Sequence, residues 1–285
     1  MDRYSLPIIC KTVHVNGLFI TGTDTGIGKT VLSALLLAEL RRRGINAAPM
    51  KPVQTGCVAE GFRPEALDLR ENGAPGLSVP DLDYALSMAS MRVDSETYGT
   101  MSPYLFEPAC SPHLAAEMAG REIEIAEIVI AARKLLDEYD VVIAEGAGGI
   151  LVPLNQRAAS DAQIISEENR AKPGSTMLDL MQAMKLPVLI AARPGLGTIN
   201  HTLLSIRALR SDGLDIAGVV FVASTDDDAG FIEQDNILTI ERFGNIPILG
   251  TLPYCAALAG SCPGYDDLPI PVIAEIEKIV NQLAL

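Results

Sequence analysis

Residues 22–30 read Gly-Thr-Asp-Thr-Gly-Ile-Gly-Lys-Thr, and they follow directly on the apolar run Leu18-Phe19-Ile20. This arrangement predicts a strand that leads into a phosphate-binding loop, in which backbone N–H groups and the start of a helix bind phosphate oxygens. Lys29 would reach the β- and γ-phosphates, and the Thr30 hydroxyl would bind Mg²⁺. The loop is a variant form, because the glycine that usually opens the pattern lies one place early, at Gly22.

The residues after the loop support this prediction. Residues 31–43 (VLSALLLAELRRR) have the composition of a helix with basic residues in its last turn, and Gly44 is a typical C-terminal stop. A glycine-rich turn that binds nothing is the structural alternative, but such a turn has no need of a Lys-Thr pair at the start of a helix. The sequence therefore indicates a nucleotide triphosphate site.

Short apolar runs alternate with helical stretches along the chain, which predicts an α/β fold with a mostly parallel sheet covered by helices on both faces. We predict strands over 18–21, 47–49, 141–144, 188–191, 218–222 and 248–249, and helices over 30–43, 125–138, 200–211 and 272–285. At a typical size of about 150 residues per domain, the chain is long enough for two domains, but its sequence contains no segment typical of a linker. We expect one domain over 1–285, with a short N-terminal extension (1–16) and a surface loop (155–175).

The composition narrows the range of partners. A formal net charge of −14 disfavours nucleic acid and anionic membranes, and it means that a phosphate site must create its own positive field. The five cysteines are odd in number and widely spaced, which fits neither a zinc pattern nor a disulfide framework. Because the first sixteen residues lack a signal-peptide core and no run of 18 apolar residues occurs, we expect a cytoplasmic protein.

Charged residues follow two further predicted strands, at the edge where ligands bind in open α/β sheets. Lys51, in the segment KPVQTG (51–56), is either a solvated surface lysine or a cation beside the γ-phosphate, and the nearby loop favours the second interpretation. Glu145 lies between an apolar run (142–144) and a glycine-rich segment (146–149). It has the position of a Walker B acid that holds Mg²⁺, with a capping or ion-paired acid as the alternative.

Two other segments indicate a function less strongly than Lys51 and Glu145 do. His113, in Ser111-Pro112-His113, would on its own more often be a packed or capping residue than a catalyst. Residues 197–201 (GTINH) follow another predicted strand and open a helix. A substrate carboxylate would bind at such a helix start, and a plain helix cap is the alternative.

Together, these motifs resemble the dethiobiotin synthetase family, ATP-dependent carboxylases of the P-loop NTPase superfamily that close the ureido ring of the biotin precursor. The matching segments occur in the family's order over most of the chain: GTDTGIGKT (22–30), KPVQTG (51–56), SPYLFEPACSPHLAA (102–116), EGAGG (145–149), GLGTINH (195–201) and LPY (252–254). An ordered set of this kind is much more specific than a phosphate loop alone.

The resemblance implies a homodimer of P-loop α/β subunits that acts on 7,8-diaminopelargonate, ATP and CO₂ or bicarbonate, with Mg²⁺. One amine of the substrate takes up CO₂, and the oxygen of the resulting carbamate attacks the γ-phosphate to give a mixed carbamic–phosphoric anhydride. The second amine then closes the five-membered urea and expels phosphate. The protein mainly has to align the carbamate with the γ-phosphate and neutralise charge.

The same resemblance implies roles for individual residues where this sequence matches the family's motifs. The implied catalytic residues are Thr25, Lys29 and Lys51. The implied nucleotide contacts are Asp24, Thr25, Gly26, Ile27, Gly28, Lys29, Thr30, Glu145, Gly148, Leu252 and Pro253. The implied metal ligands are Thr30, Glu145 and an aspartate after the KPV motif, for which the spacing favours Asp83 over Asp81 and Asp68. The implied substrate contacts are Lys51, Thr55, Ser111 and, from the neighbouring subunit, Thr198, Ile199 and Asn200.

Two positions depart from the family's pattern. Position 26 is often glutamate in relatives and is Gly26 here, so one negative group beside the metal or the substrate ammonium is absent. Val222 ends the predicted strand over 218–222, where some relatives have an asparagine that contacts the adenine base. Because a valine side chain neither donates nor accepts a hydrogen bond, we expect weak selectivity for the base.

Two other functions share this type of loop. The ATP-binding domain of a cobyrinate amidotransferase would need a further glutaminase domain, for which little chain remains after residue 254. A partitioning-type ATPase switch, acting on membrane or DNA, carries a lysine early in its loop, whereas residues 23–25 contain none. Such a switch would also favour a basic amphipathic tail, but residues 272–285 carry two glutamates and one lysine.

Overall fold

A parallel sheet of six strands forms the centre of the computed structural model, which describes residues 17–59, 77–156, 174–225, 230–260 and 262–283. The strands in chain order are β1 (Gly17–Gly22), β2 (Ala47–Met50), β3 (Val53–Thr55), β4 (Val58–Ala59), β5 (Leu77–Ser78), β6 (Tyr104–Phe106), β7 (Val141–Gly149), β8 (Val188–Ala192), β9 (Ile216–Val222) and β10 (Ile248–Leu252). The central sheet has the order β10-β9-β8-β1-β7-β2, while β3 pairs with β6 and β4 with β5.

Helices connect most of these strands. In chain order they are α1 (Lys29–Arg42), α2 (Pro80–Met88), α3 (Ser95–Met101), α4 (Pro112–Met118), α5 (Ile125–Glu138), α6 (Met177–Met184), α7 (Thr198–Ser211), α8 (Phe231–Gly244), α9 (Ala256–Gly260) and α10 (Ile270–Leu283). A 3₁₀ turn covers Tyr265–Asp267. None of these helices is long and apolar enough to cross a membrane.

The central strands send alternate side chains into two separate cores, because successive residues of a strand point to opposite faces. In β1, Phe19 belongs to the core that includes residues of α5, α6, α7 and α8. Leu18 and Ile20 belong to the other core, with residues of α1 and α10. Helices therefore cover both faces of the sheet, and the predicted α/β fold is confirmed.

The six predicted strands and the four predicted helices all form, with some differences at their ends. The predicted and observed bounds of α5 are identical, whereas α7 begins at Thr198 rather than at residue 200. The largest difference is in β7, which was predicted to end at Ala144 and continues to Gly149. The glycine-rich segment therefore belongs to the strand instead of following it.

The expected extension over 1–16 and most of the expected surface loop over 155–175 lie outside the described residues. The described ends of that loop lie side by side. Ser175 accepts a hydrogen bond from the Leu154 N–H at 2.8 Å, and its own N–H donates to Asn155 Oδ1 at 2.8 Å. A capping box of Thr176 and Asp179 then starts α6. The single domain stays a prediction.

A charge cluster around the buried Glu39 joins α1 to the 3₁₀ turn. Glu39 is fully buried, and its carboxylate accepts hydrogen bonds of 2.5 to 3.1 Å from Arg42, Arg43 and the Tyr265 hydroxyl. Burial alone would raise the pKa of Glu39, but the hydrogen bonds from Arg42, Arg43 and Tyr265 outweigh it and hold that pKa below its usual value. Glu39 is thus a charged group on which the packing of α1 depends.

We expect Glu39→Ala to lower the free energy of unfolding by about 2 kcal/mol at pH 7, because it removes the buried acceptor that the Tyr265 hydroxyl shares with the partly exposed Arg42 and Arg43. Glu277→Ala removes a more exposed partner of Arg42 and should cost less than about 1 kcal/mol. Because the folded-state pKa of Glu39 is lowered, its contribution is present above its unfolded pKa of about 4.3 and is lost as the pH falls through the folded pKa. Urea unfolding at several pH values measures this, and equal losses in both variants would contradict it.

Candidate active site

The segment between β1 and α1 folds into a closed loop over the start of the helix. Gly26 and Gly28 have φ angles of +70° and +87°, which favour glycine. The Asp24 carboxylate accepts the Thr25 N–H at 2.7 Å, and Lys29 Nζ donates to the Asp24 carbonyl oxygen at 2.8 Å. This arrangement places a buried cation and the start of a helix at one point, where both favour an anion.

Lys29 has few contacts with water, since it is only 7% exposed. Burial lowers the pKa of Lys29 to about 8, and the Glu145 carboxylate only partly offsets this effect. A phosphate group beside Lys29 would supply the negative charge that the buried ammonium lacks. The loop is therefore suited to hold a polyphosphate.

Two charged side chains meet at the carboxyl end of the sheet because their strands are in register. Met50 of β2 pairs with Ala144 of β7, so the next residues, Lys51 and Glu145, lie side by side. Lys51 Nζ is 2.8 Å from Glu145 Oε1, and the same carboxylate oxygen accepts the Thr30 hydroxyl at 2.9 Å. The lysine after β2 and the threonine of the phosphate loop thus share one acceptor.

Asp81, in the first turn of α2, completes this group. Its Oδ2 is 2.6 Å from Lys51 Nζ, which also lies 3.5 Å from the Gly146 carbonyl oxygen. We call Lys51, Glu145, Asp81 and Thr30 the Lys51 cluster. The Lys51 side chain is only 5% exposed, so its contacts are made largely out of water.

The charges of the Lys51 cluster do not balance. Burial would lower the pKa of Lys51, but the attraction of Glu145 and Asp81 outweighs it, so the pKa of Lys51 is raised and the lysine stays protonated. Burial is also the main reason why the pKa of Glu145 is raised, against the pull of Lys51. Within the cluster one ammonium faces two carboxylates, and Lys29 is a further cation on which Glu145 acts. The carboxylate oxygens of the cluster would suit a bound cation.

The preference for Asp83 as the metal ligand does not match the structure. Asp83 is buried, and it accepts hydrogen bonds from Ser78 Oγ at 2.5 Å and from the Tyr98 hydroxyl at 2.7 Å. Residues two apart in a helix point in different directions, so Asp81 and Asp83 cannot both face the site. Asp81, which the sequence spacing allowed as an alternative metal ligand, is the aspartate in contact with Lys51. Asp68 lies outside the described residues.

The end of β7 packs closely on the phosphate loop. A Cβ atom added at Gly148, where φ is +66°, would lie 3.6 Å from Thr25 Oγ1, and one at Gly149 would lie 3.4 Å from the Gly22 carbonyl oxygen. Glycines allow this close approach because they have no side chain. The structure thus brings Thr25 and Gly148, both implied nucleotide contacts, to one place.

A cavity of about 210 Å³, which we call the base cavity, adjoins residues 26–28 of the phosphate loop. Its walls come from the loop (26–28), from the end of β9 (222–224) and from the residues around the end of β10 (252–255). Val222 contacts the loop directly, since a Cβ at Gly28 would lie 2.5 Å from Val222 Cγ1. Ile27, Leu252 and Pro253, all implied nucleotide contacts, belong to this cavity. Its position suits the base of a nucleotide whose phosphates occupy the loop.

The implied substrate contacts in the middle of the chain lie on two elements that pack together. Thr55 ends β3, and Ser111 immediately precedes α4, which contacts β3. Between them, a Cβ at Gly56 would lie 3.4 Å from the Cβ of Ala109. Thr55 and Ser111 are both partly exposed.

The implied substrate contacts at the start of α7 are arranged differently. Thr198 is buried, and its hydroxyl bonds to that of Thr202 at 3.2 Å, while Ile199 packs against the core. Asn200 is exposed. Among the described residues, no hydrogen bond or ion pair joins these three residues to the Lys51 cluster.

Arg193 is a further residue near the loop, and it belongs to none of the sequence motifs described above. Its Nη2 lies 3.8 Å from Asp24 Oδ2. The available signal was its position, because it follows the predicted strand over 188–191 and so lies at the same edge of the sheet as Lys51.

The phosphate loop, the parallel sheet and the charged residues at its carboxyl edge define a P-loop ATPase. Residues 16–261 match the family model described as an AAA domain, AAA_26. The fold is similar to that of the MinC:MinD cell division protein complex of Aquifex aeolicus, with a TM-score of 0.53 and 15% identity over 94% of this chain and 95% of that chain. At this identity the likeness concerns the fold alone.

Closer relatives identify the family. The chain is 35% identical to the ATP-dependent dethiobiotin synthetase BioD of Lysinibacillus sphaericus, over 80% of this chain and 83% of that protein. It is 38% identical to the protein of the same name from Anaeromyxobacter dehalogenans, over 84% and 91% of the two chains. The chain belongs to the dethiobiotin synthetase family. The amidotransferase and partitioning-type alternatives are not favoured.

Proposed function

We propose that this protein forms dethiobiotin from 7,8-diaminopelargonate and CO₂, with cleavage of ATP to ADP and phosphate, at the Lys51 cluster. Membership of the dethiobiotin synthetase family supports the ATP-dependent formation of dethiobiotin. The observation that carries the assignment of the site is the contact of buried Lys51 with Glu145, which also accepts the hydroxyl of the loop residue Thr30. A lysine so placed suits a reaction between an anionic substrate and the γ-phosphate.

The Lys51 cluster also suits Mg²⁺. Thr30, Glu145 and Asp81 supply the oxygen ligands that this ion prefers, and their carboxylates exceed the charge of Lys51. Among the described residues, no group of three or more His, Cys, Asp or Glu side chains forms a metal site by itself. This agrees with an ion that takes further ligands from phosphate oxygens and water. Bound there, Mg²⁺ would neutralise charge on the β- and γ-phosphates.

The residues of the loop would hold the nucleotide, and Lys51 would act on the reacting groups. Lys29 and the start of α1 bind the phosphates, while the Lys51 ammonium orients the carbamate and stabilises the charge on the transferred group. The carbamate oxygen bonds to the γ-phosphorus as the bond to the ADP oxygen breaks. The second amine then bonds to the carbonyl carbon, the bond from that carbon to the phosphate oxygen breaks, and the amine loses a proton.

We also propose that the enzyme is a homodimer in which the start of α7 contributes to the neighbouring site. Asn200 is exposed and forms no described contact with the Lys51 cluster of its own chain. Leu196, just before α7, is 99% exposed, and a neighbouring subunit that covered it would remove this apolar side chain from water. The first N–H groups of a helix have no partners within it, so those of α7 suit the substrate carboxylate.

The reaction is tested by incubating the protein with 7,8-diaminopelargonate, ¹³C-bicarbonate, Mg²⁺ and ATP. We expect mass spectrometry to find dethiobiotin that carries the label, with one ADP released per cyclic urea. Omission of ATP or of the diamine serves as the control. Release of ADP without the labelled urea would contradict the proposed function.

The apolar base cavity leads to a prediction about the nucleotide. We expect GTP or CTP to support a kcat/KM within about a hundredfold of that of ATP, because Val222 offers the base only apolar contact. Val222→Asn is the matched variant and should sharpen the preference for ATP. A panel of nucleotides at fixed Mg²⁺ measures this. A preference for ATP above about ten-thousandfold in the unchanged protein would mean that backbone groups near Leu252 and Pro253 select the base.

A further inference from the structure

Arg193 lies beside the phosphate loop on the side away from Lys51. In the central sheet β1 is flanked by β7, which carries Glu145, and by β8, which Arg193 follows. Gly22 pairs with Ala191, and the Thr23 N–H donates to the Ala191 carbonyl oxygen at 3.1 Å. This register brings Arg193 level with Asp24. The loop therefore has a cationic residue on each side.

A hydrogen bond holds the backbone next to Arg193, whereas the Arg193 side chain has only a loose contact. The next residue, Pro194, accepts a hydrogen bond of 2.9 Å at its carbonyl oxygen from Asn236, which is buried in α8. The Arg193 guanidinium, by contrast, has a loose contact of 3.8 Å with Asp24, and both side chains are about half exposed. Exposed pairs of this kind contribute at most about 1 kcal/mol, so the guanidinium can exchange this partner for another at little cost.

The cavity and the loop contacts set the direction of a bound nucleotide. Residues 26–28 line the base cavity, and Lys29 Nζ touches the carbonyl oxygen of Asp24. A nucleotide with its base in the cavity and its phosphates on Lys29 therefore extends towards Asp24. The last phosphate lies at that end of the loop, within the region that the Arg193 side chain can reach.

We propose that Arg193 is a further catalytic residue, whose guanidinium leaves Asp24 to bind γ-phosphate oxygens of the nucleoside triphosphate and stabilises their charge during transfer. This inference rests on the proposed function. Arginine suits the task because its planar group donates two parallel hydrogen bonds to a phosphate and stays charged at any working pH. In a chain with a net charge of −14, a third cation at the loop also offsets repulsion of the nucleotide.

The test compares a triphosphate with a diphosphate, because only the former has a γ-phosphate. We would measure Kd values of ADP and of a non-hydrolysable imido analogue of ATP by calorimetry with Mg²⁺, for the full chain and for Arg193→Ala and Arg193→Lys. We expect Arg193→Ala to weaken binding of the triphosphate about tenfold and of ADP less than about twofold. It should also lower kcat about a hundredfold. Arg193→Lys should recover part of both losses.

Arg133, an exposed arginine of α5, provides the control for net charge, and Arg133→Ala should change neither Kd. Equal weakening of ADP and the triphosphate by Arg193→Ala, or no change in either, would overturn the assignment of Arg193. If the unchanged protein makes no dethiobiotin but Arg193→Ala loses its preference for the triphosphate, only the proposed function fails. If it makes dethiobiotin and the preference is unchanged in Arg193→Ala, only the role of Arg193 fails.

Discussion

Replacement of Lys51 by alanine is expected to lower kcat by about a thousandfold and to change the KM for ATP by less than about threefold. Lys51 is buried between Glu145 and Asp81, whereas Lys29 contacts the backbone of the phosphate loop at Asp24. The Lys51 ammonium should therefore act mainly on charge that develops in the transition state, where one preorganised donor contributes a hundredfold to a thousandfold or more. Steady-state kinetics with saturating diamine and bicarbonate measures both constants.

Lys29→Ala provides the contrast for this prediction. Lys29 lies within the loop, so its loss should weaken ATP binding as well as turnover. Lys134→Ala removes an exposed lysine of α5 and should leave both constants unchanged. Because Lys51→Ala leaves the buried Glu145 carboxylate and the partly exposed Asp81 carboxylate without their partner, thermal unfolding has to show that the variant is folded. A folded Lys51→Ala enzyme with kcat within about threefold of the unchanged protein would exclude the proposed role.

Mixed dimers of Lys29→Ala and Asn200→Ala subunits are expected to recover about half of the unchanged activity, although either variant alone is nearly inactive. If α7 of one chain completes the site of its neighbour, one of the two sites in a mixed dimer carries both substitutions and the other carries neither. Two affinity tags isolate the mixed dimer, and the labelled-urea assay measures its turnover.

The matched control is a mixed dimer of Lys29→Ala and Lys51→Ala subunits. Both of these residues belong to the same part of the chain, so every site of that dimer keeps one lesion and activity should stay low. A verified Lys29→Ala/Asn200→Ala dimer no more active than this control would place the whole site within one chain.

The long elements of the fold were predictable because they carry a strong local pattern. The bounds of α5 match because its apolar residues repeat with the helical period and its buried positions, such as Ile128 and Leu135, follow that repeat. Helix α8 was not predicted, because Phe231, Leu238 and Phe243 are apolar and yet exposed. The end of β7 was missed because glycines have low strand propensity, and its pairing with β1 depends on contacts distant in sequence.

The site was predictable where it depends on strand ends and unpredictable where it depends on the rotation of a helix. Lys51 and Glu145 follow neighbouring parallel strands, so their positions along the chain were sufficient to bring them together. Asp81 and Asp83 differ by two places in α2, and spacing cannot tell which one faces Lys51. The hydroxyl of Tyr98, which lies in a different helix, donates a hydrogen bond to Asp83, while Asp81 contacts Lys51 in the site.

One oxygen atom, Glu145 Oε1, touches both the Thr30 hydroxyl and the Lys51 ammonium. The residue that would bind the nucleotide and the residue that would bind the carbamate of the diamine therefore contact the same atom. Substitutions at Thr30 and Lys51 share a partner, so their effects should not add. In evolution, a substitution at this point that changes the binding of one co-substrate would also change the binding of the other. Selection would more readily change residues away from this atom, such as those around the base cavity.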